Sequence, residues 1–327
     1  MTMDRRGFLY AGGFAAAAGG AMLSPAHVAA ANAGRSVTDF GVEPNSDRDQ
    51  TEAMQKAITE LSRAGQAVIL PGGRYVVGEL KLPETVAILG TPHLTVIRSD
   101  HKLLAGARLK ALHLSGIIFE RSEHGKTGVP VIEVSGADVS ISHCAFTGGT
   151  GAGIRLENCS GNVSGVDIES ALTFGVSATG AAGLTISGCR LGRCKGVGIA
   201  VSGSAGDVQG FAVSQNQVAG CGIGIAADGV GIVAGNVVTG ATGFGLKIGN
   251  ARSSGHALVQ GNLIRDSRIG IGVAASGDDI MVSLNMITGA KDGAIRAFDG
   301  EKIVGPDLAR QSAEAYLNLM VAGNVVR

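Results

Sequence analysis

Five segments of the sequence repeat one pattern: FAVSQNQV (211–218), GIVAGNVV (231–238), ALVQGNLI (257–264), IMVSLNMI (280–287) and LMVAGNVV (319–326). Each contains one Asn, with an apolar residue three positions before it and another two positions after it. A fixed pattern that returns every few dozen residues is typical of a solenoid of stacked repeats. We therefore use the Asn residues as anchors for aligning the rest of the chain with itself.

The same register continues towards the N-terminus, where apolar residues occupy the anchor position. The anchors are Ile117, Cys144, Val166, Cys189, Asn216, Asn236, Asn262, Asn285 and Asn324. All eighteen positions that lie three before or two after an anchor are apolar. The repeats from Ile117 to Asn285 average 24 residues, which is too short for a β-α-β crossover.

A third apolar position completes each repeat. It usually follows a Gly and comes nine or ten residues after seven of the anchors, whereas the first repeat needs fifteen. These residues are Ile132, Ile154, Val176, Ile199, Ile225, Leu246, Ile271 and Ile295. Each repeat then has three short strands, and the predicted fold is all-β: a right-handed, single-stranded parallel β-helix with three sides, over residues 67–327.

The anchor column is expected to form a corner between two strands. Asn tolerates a positive φ at low cost, so we predict that the Asn anchors turn the corner themselves. Asn216, Asn236, Asn262 and Asn285 would stack about 4.8 Å apart as a structural ladder of bonded amides. Five residues after the anchors runs a column of small residues, in which Cys194 and Cys221 are neighbours. We expect these two to be packed free thiols, with a disulfide as the alternative.

Composition agrees with this fold and excludes one class of partner. Hydrophobic residues make up 45% of the chain, aromatic residues only 4%, and there are 53 Gly and no Trp. Small β-branched side chains suit closely stacked strands. The 27 basic and 27 acidic residues balance, so nothing in the net charge favours nucleic acid as a partner.

The two ends of the chain have different expected roles. Residues 1–33 read as a twin-arginine signal peptide, with Arg5-Arg6, an apolar run and a small-residue cleavage site; we expect export to the periplasm or the extracellular space, without a membrane anchor after cleavage. Residues 34–66 are a predicted cap, in which a helix from Asp49 to Leu61 begins with a capping box, Asp49-Gln50-Thr51-Glu52. A short helix is expected within 307–319. The last coil reads as incomplete, which suggests self-association at the C-terminal edge.

One known family resembles the whole chain. Asp39-Phe40-Gly41, the stretch from Asp49 to Ile58 and the run Val68 to Tyr75 resemble the opening of β-helices of the pectate-lyase superfamily. Together with the twin-arginine leader and the Gly-rich coils, the chain is similar to the twin-arginine-translocated repetitive proteins, an uncharacterised family. In the superfamily, substrate clefts usually lie along the outer face of the long third strand, so the resemblance implies polysaccharide as the partner.

Charged residues on that face gather at the N-terminal coils. Alternation of side chains puts Glu133, Arg155, Glu157 and, further along, Lys247 on the outside, beside a long turn formed by residues 120–126. We predict Arg155, His124 and Glu133 as candidate catalytic residues, and Arg121, Glu123, Lys126, Glu157 and Lys247 as substrate-binding residues. The alternative is a solvated turn with a Glu133–Arg155 ion pair between adjacent coils.

Other acidic and histidine residues do not extend this site. Asp278, Asp279, His256 and Asp292 are better explained as turn residues than as the aspartates and Gly-His-Gly segment of polygalacturonases. The remaining histidines lack the spacing of metal ligands, so we expect no metal and no cofactor.

Three functions remain open from the sequence. The first is an exported protein that binds envelope or extracellular polysaccharide along the flank of the β-helix, with catalysis undecided. The second is a polysaccharide lyase or hydrolase of the superfamily, acting on uronic-acid polymers. The third is a non-enzymatic surface protein that assembles through its C-terminal edge.

Overall fold

The computed structural model describes residues 34–99, 102–121, 129–148, 153–203, 209–250, 255–277, 279–311 and 316–327. Over these residues the chain winds into a right-handed parallel β-solenoid of about 10 turns, with three sheets. Every strand pair is parallel except that of the last two strands of the third sheet. The predicted fold class is confirmed.

The strands, numbered β1 to β35 in chain order, fall into three sheets that we call sheets 1, 2 and 3. Sheet 1 consists of β1 (Arg35–Ser36), β3 (Val68–Leu70), β6 (Thr85–Gly90), β9 (Ala111–Ser115), β12 (Asp138–Ser142), β15 (Ser160–Ser164), β18 (Leu184–Ser187), β21 (Phe211–Ser214), β24 (Gly231–Ala234), β27 (His256–Gln260), β30 (Asp279–Ser283) and β34 (Leu319–Ala322). Sheet 2 consists of β2 (Ser46–Asp49), β4 (Gly73–Val76), β7 (Thr95–Ser99), β10 (Ile117–Arg121), β13 (Ala145–Thr147), β16 (Asp167–Glu169), β19 (Arg190–Gly192), β22 (Gln217–Ala219), β25 (Val237–Thr239), β28 (Leu263–Arg265), β31 (Met286–Thr288) and β35 (Val325–Val326). Sheet 3 consists of β5 (Leu80–Lys81), β8 (Leu104–Gly106), β11 (Ile132–Ser135), β14 (Ile154–Glu157), β17 (Phe174–Ala181), β20 (Val197–Gly203), β23 (Ile223–Asp228), β26 (Phe244–Ile248), β29 (Ile269–Ala274), β32 (Ile295–Asp299) and β33 (Lys302–Asp307).

The apolar columns predicted from the repeat are the inward-facing columns of these sheets. Leu114, Ile141 and Val163 are register partners in sheet 1, and the column continues to Val321. Phe119 pairs with Phe146 in sheet 2, and that column continues to Val326. The third column runs from Ile132 to Ile295 in sheet 3. The three columns together form the core of the prism.

The Asn ladder lies at the corner between sheets 1 and 2. The Nδ2 group of Asn216 donates to Oδ1 of Asn236 at 3.0 Å, and the same bond joins Asn236 to Asn262, Asn262 to Asn285 and Asn285 to Asn324 at 2.9 to 3.0 Å. The four Asn residues of the predicted ladder are at most 1% exposed. The ladder prediction is therefore confirmed.

The backbone turn at this corner is not made by the anchors. A positive φ, between 51° and 71°, belongs to the residue immediately before each anchor: Gly116, His143, Gly165, Gly188, Gln215, Gly235, Gly261, Leu284 and Gly323. The prediction that the Asn residues adopt the left-handed conformation is wrong. With the turn made one residue earlier, the anchor side chain points into the interior and its amide meets the next coil.

A geometry repeated between coils also explains the Gly that precedes the inward apolar residue of the third strand. A Cβ atom on Gly198 would lie 2.6 Å from Val218 and 2.7 Å from the carbonyl oxygen of Gly224, and Gly245 has the same kind of neighbours in Ile264 and Gly270. Such separations are shorter than real carbon contacts allow. The second residue of β20 and of β26 thus requires Gly, because sheet 2 side chains fill the space on its inner side.

The cap contains a 3-10 helix, Val37–Phe40, and an α-helix, α1, Thr51–Arg63. Met54, Ala57, Ile58 and Leu61 of α1 are buried, as the apolar pattern predicted. The helix begins two residues later than expected, with Gln50 as N-cap and no capping bond from its side chain. The predicted capping box is therefore wrong, because Glu52 is the second residue of α1 and lies too early in the helix for its side chain to bond the N–H of the N-cap residue. The Oδ1 atom of Asp49 instead accepts the Thr51 hydroxyl and, at 2.8 Å, the Thr51 N–H; the hydroxyl bond, followed by the N–H bond, lowers the pKa of Asp49.

The C-terminal segment also differs from expectation. The residues predicted to form a helix over 307–319 end strand β33, form a turn at 308–310 and begin strand β34; residues 312–315 lie outside the described residues. Strand β33 pairs antiparallel with β32, so Asp307 is tied to a sheet edge, where its carboxylate accepts the N–H groups of Ala294 and Ile295. No helix among the described residues is long and apolar enough to cross a bilayer.

The cysteines are internal. All five are free and buried, which agrees with the expectation of packed thiols at Cys194 and Cys221. A hydrogen bond to the Cys221 sulfur, followed by burial, raises the pKa of the Cys194 thiol. Cys144 and Cys189 occupy the anchor corner, where burial raises the pKa of each to about 11.

Candidate functional site

A group of three charged side chains lies on the outer face of sheet 3, at its N-terminal end. Glu133 and Arg155 are register partners on β11 and β14, and Arg155 Nη1 lies 3.2 Å from Glu133 Oε1. On the opposite side, Lys102 Nζ, just before β8, contacts Glu133 Oε2. We call Lys102, Glu133 and Arg155 the charged triad.

The triad keeps the Glu133 carboxylate ionised. The hydrogen bond from Lys102 is the largest cause of a lowered pKa at Glu133; partial burial opposes it, and the charge of Lys102 and the Arg155 bond add to the lowering. The side chains of Lys102, Glu133 and Arg155 are 27%, 29% and 35% exposed, so all three remain within reach of a ligand.

Two members of the triad, Lys102 and Glu133, line a cleft of about 470 Å³. Its lining includes Lys102, Glu133 and Glu157, and it reaches Glu79 and Lys81 on the cap side. The lining also includes four small residues: Ala105, Gly106, Ala107 and Ser135. Small residues leave the polar side chains at the rim open to solvent.

A second cleft, of about 860 Å³, continues from the first. It lies between α1 and sheet 3 and shares Glu79, Lys81 and Leu82 with the first cleft. Thr51, Glu52 and Gln55 of α1 form its opposite wall. The two clefts form one surface that we call the N-terminal cleft.

The wall made by α1 is fixed by bonds to sheet 3. Gln55 Nε2 donates to the Lys81 carbonyl at 2.9 Å, and its Oε1 accepts the Lys81 N–H at 2.8 Å. Thr51 Oγ1 accepts the Gly78 N–H at 2.6 Å. Because these bonds join the helix to the first strand of the cleft, the wall is held in place before a ligand arrives.

The structure brings only some of the predicted site residues together. Glu133, Arg155 and Glu157 lie on one face, as expected. His124, Glu123 and Lys126 lie outside the described residues. Arg121 does not lie on that face: strand β10 continues to it, its side chain follows Phe119 on the inward side, it is 4% exposed, and Nη1 donates to the Val129 carbonyl. Its burial removes Arg121 from the cleft surface.

Lys247 lies on the same outward column but far from the triad. Five strand steps separate it from Glu133, a distance of about 24 Å. Its ammonium group lies 5.0 Å from the ring centre of Phe298 and 5.7 Å from that of Phe244, and 3.6 Å from Glu301. Lys247 thus belongs to a separate aromatic cluster.

The sequence interpretation missed Lys102 and the cap side of the cleft. The repeat alignment began at Ile117, one coil too late, although Leu104 is the register partner of Ile132. Extending the third-strand column back to Leu104 would have put Ala105 opposite Glu133 and shown that the coil containing Lys102 borders the site.

The remaining acidic and histidine candidates lie elsewhere. His256 and Asp279 are paired on sheet 1, with 3.2 Å between Nδ1 and Oδ2, and Asp292 pairs with Arg268 at 2.6 Å; Asp278 is outside the described residues. Within the described ranges, no group of three or more His, Cys, Asp or Glu side chains could hold a metal ion.

Fold and sequence comparisons define the class of protein. A family model described as the right-handed β-helix region matches residues 106–229, and one described as rhamnogalacturonase A/epimerase, pectate-lyase-like, matches residues 34–109. Together with the three-sheet solenoid, these matches support the right-handed β-helix superfamily, and over residues 34–109 the chain is similar to pectate-lyase-like proteins.

Solved structures with the same fold are distant in sequence. The A-module of a mannuronan C-5 epimerase from Azotobacter vinelandii has a TM-score of 0.53 at 16% identity, over 89% of this chain and 99% of that one. An exopolygalacturonase from Thermotoga maritima has a TM-score of 0.54 at 10% identity, over 90% and 91%. A tailspike protein of E. coli bacteriophage HK620, in complex with a pentasaccharide, has a TM-score of 0.65 at 13% identity, over 90% of this chain and 63% of that one. A search of the curated proteins finds no match.

Proposed function

We propose that this chain is an exported β-helix protein that binds an extended polysaccharide in the N-terminal cleft. The observation that carries the proposal is the charged triad, in which Lys102 and Glu133 line that cleft and Arg155 is ion-paired to Glu133 from the next coil. Ionised donors and acceptors in one open groove suit a ligand that presents many hydroxyl and carboxylate groups.

The shape of the cleft supports a polymer over a small metabolite. The cleft is open and runs from α1 along several coils of sheet 3. Small-molecule sites are usually enclosed and mostly apolar, whereas this one has charged residues along its length. Three structural relatives are a mannuronan C-5 epimerase, an exopolygalacturonase and a tailspike protein in complex with a pentasaccharide, which agrees with a polysaccharide ligand here.

Binding without cleavage fits the triad better than lyase chemistry. A lyase needs a base close to its working pH, but Glu133 is held as a carboxylate and Arg155 is engaged by it. Incubation with uronic-acid polymers, followed by absorbance of new double bonds, tests the lyase alternative, and we expect no increase over a boiled control.

Export rests on the leader at residues 1–33 and on the similarity to the twin-arginine-translocated repetitive proteins. The twin-arginine route exports proteins that are already folded, and a β-helix of this kind is a suitable substrate for it. Replacing Arg5 and Arg6 by Lys should retain the protein in the cytoplasm, as judged by fractionation. Periplasmic recovery of the double variant at the wild-type level would contradict export by this route.

A glycan array tests the proposal, with acidic and neutral polysaccharides side by side. We expect Arg155→Ala and Glu133→Gln to reduce binding about tenfold or more, because each removes a charge-assisted bond at the rim. Arg190→Ala is the matched control: it removes an equally charged side chain, ion-paired to Asp167 at 2.6 Å, from sheet 2. Equal binding by wild type and Arg155→Ala would remove the triad from the site.

A further inference from the structure

The outer face of sheet 1 changes character along the solenoid. From β9 to β18 one outward column is polar, with His113, Ser140, Asn162 and Thr185 as register partners. In the last four coils the same column is apolar, with Ile232, Leu258, Met281 and Met320. Ile232 and Met320 are 44% and 52% exposed. Because this column faces solvent, its apolar side chains do not contribute to the buried core.

The outer face of sheet 2 also changes from polar to apolar, at the same coils as sheet 1. Its outward column carries Asp167, Arg190 and Gln217 in the middle of the solenoid. Further on it carries Val237, Leu263, Met286 and Val325. Val237, Met286 and Val325 are 37% to 44% exposed. Each of two adjacent faces of the last coils therefore carries one apolar outward column, and Gln260 and Ser283 lie between the two columns at the ends of β27 and β30.

Leu284 joins the two faces at the corner. It has a φ of 56°, where the neighbouring coils have Gly261 and Gly323, and its side chain is 68% exposed. A bulky residue in the left-handed region costs backbone energy, and an exposed Leu gains nothing from burial. A contact that covers Leu284 would offset both costs.

We infer that this corner patch, made of the two apolar columns and Leu284, is a contact surface between copies of this chain. Contiguous exposed apolar surface marks an interaction site in soluble proteins, and Met is enriched at protein interfaces. Neither column contains a charged residue; His256 and Asp279 lie two residues before the sheet 1 column, and Arg265 lies two residues after the sheet 2 column.

The size of the patch fits a protein partner. Four coils span about 19 Å, and the path of about ten residues around the corner spans about 33 Å, which gives roughly 600 Å² per copy. Two copies would bury about 1,200 Å², the lower end of the range for specific interfaces. A small apolar ligand in the hollow of about 730 Å³ on sheet 1 would leave Leu284 and the sheet 2 column uncovered.

Sedimentation velocity of the purified full chain, under reducing conditions and over a series of concentrations, tests the inference. We expect the wild type to self-associate reversibly. Met281→Lys, which puts a charge in the apolar column, should weaken self-association at least tenfold. Asn162→Lys is the matched control, because it makes a cation at the same column position in an N-terminal coil, and it should associate like the wild type.

Leu284→Asn separates loss of the interface from loss of the fold. Asn adopts the left-handed conformation more readily than Leu, so this variant should remain folded by circular dichroism while its self-association weakens. A wild type that is monomeric at every concentration would overturn the inference. Binding of an apolar dye by that monomer would not change this conclusion. Unchanged association of Met281→Lys and Leu284→Asn would overturn the inference too.

Discussion

The corner between sheets 1 and 2 is built in two ways along one molecule. In the N-terminal coils Ile117, Cys144, Val166 and Cys189 fill it with apolar atoms. In the C-terminal coils five Asn residues fill it with a chain of amide bonds. The left-handed residue before the anchor is present in both regions. The backbone conformation of the corner therefore does not depend on the Asn side chains. The two regions differ in whether the buried corner is filled by hydrogen-bonded amides or by apolar packing.

The surfaces of the two regions differ as well. The N-terminal coils carry the charged triad and the cleft under α1, whereas the C-terminal coils carry the corner patch. A regular solenoid can thus assign different roles to different coils, because each coil packs mainly on its neighbours.

The largest effect should come from cutting the ladder. Asn236 Oδ1 accepts the N–H and an amide hydrogen of Asn216, each at 3.0 Å, and Asn236 Nδ2 donates to the Val213 carbonyl at 2.9 Å. Asn236→Ala leaves these buried groups without hydrogen-bond partners, so we expect a loss of about 3 kcal/mol or more in the free energy of unfolding. Urea denaturation measures it.

Val166→Ala is the matched change in the apolar corner. It leaves a small cavity but no unsatisfied group, and should cost only about 1 to 2 kcal/mol. Equal losses for Asn236→Ala and Val166→Ala would show that the two corners do not differ in the way described.

A smaller effect is expected from placing an Asn in the apolar corner. Cys189 already occupies the ladder geometry: its N–H donates to Asn216 Oδ1 at 3.0 Å, and its sulfur lies 3.7 Å from the Val163 carbonyl. Cys189→Asn would extend the ladder by one coil, so we expect its unfolding free energy to stay within about 1 kcal/mol of the wild type.

Cys144→Asn is the comparison, because its next anchor is Val166 and offers the amide no partner. It should cost about 1 to 3 kcal/mol by the same urea measurement. A greater loss for Cys189→Asn than for Cys144→Asn would contradict the ladder as the reason why Asn is tolerated.

Much of the fold could be predicted because the inward columns depend on side-chain alternation alone. The left-handed residue before each anchor could also have been predicted, since Gly precedes six of the nine anchors. Alternation from Phe119 would equally have put Arg121 inside, but reading residues 120–126 as one turn hid the end of strand β10. The triad could be predicted only in part, because Lys102 lies in a coil whose repeat is irregular. The corner patch needed the registers of two sheets at once.

The smallest effect concerns pH at the triad. The pKa of Glu133 is lower in the folded chain than its usual 4.5, so its pairing stabilises the fold above that value and is lost as pH falls through the lower, folded-state pKa. We expect thermal unfolding of Glu133→Gln to depend less on pH below about 4.5, by under about 1 kcal/mol. Glu157→Gln, which removes a carboxylate from the same face, is the control. A pH dependence identical to the wild type would contradict the pairing.

The most direct test of polysaccharide binding in the N-terminal cleft compares two cations on one outward column. Isothermal titration with the polysaccharide selected on the array should show at least a tenfold weaker affinity for Arg155→Ala. Lys247→Ala, about 19 Å away along the column, should stay within about twofold of the wild type. The reverse order, with Lys247→Ala losing affinity and Arg155→Ala keeping it, would contradict the assignment of the ligand to the N-terminal coils.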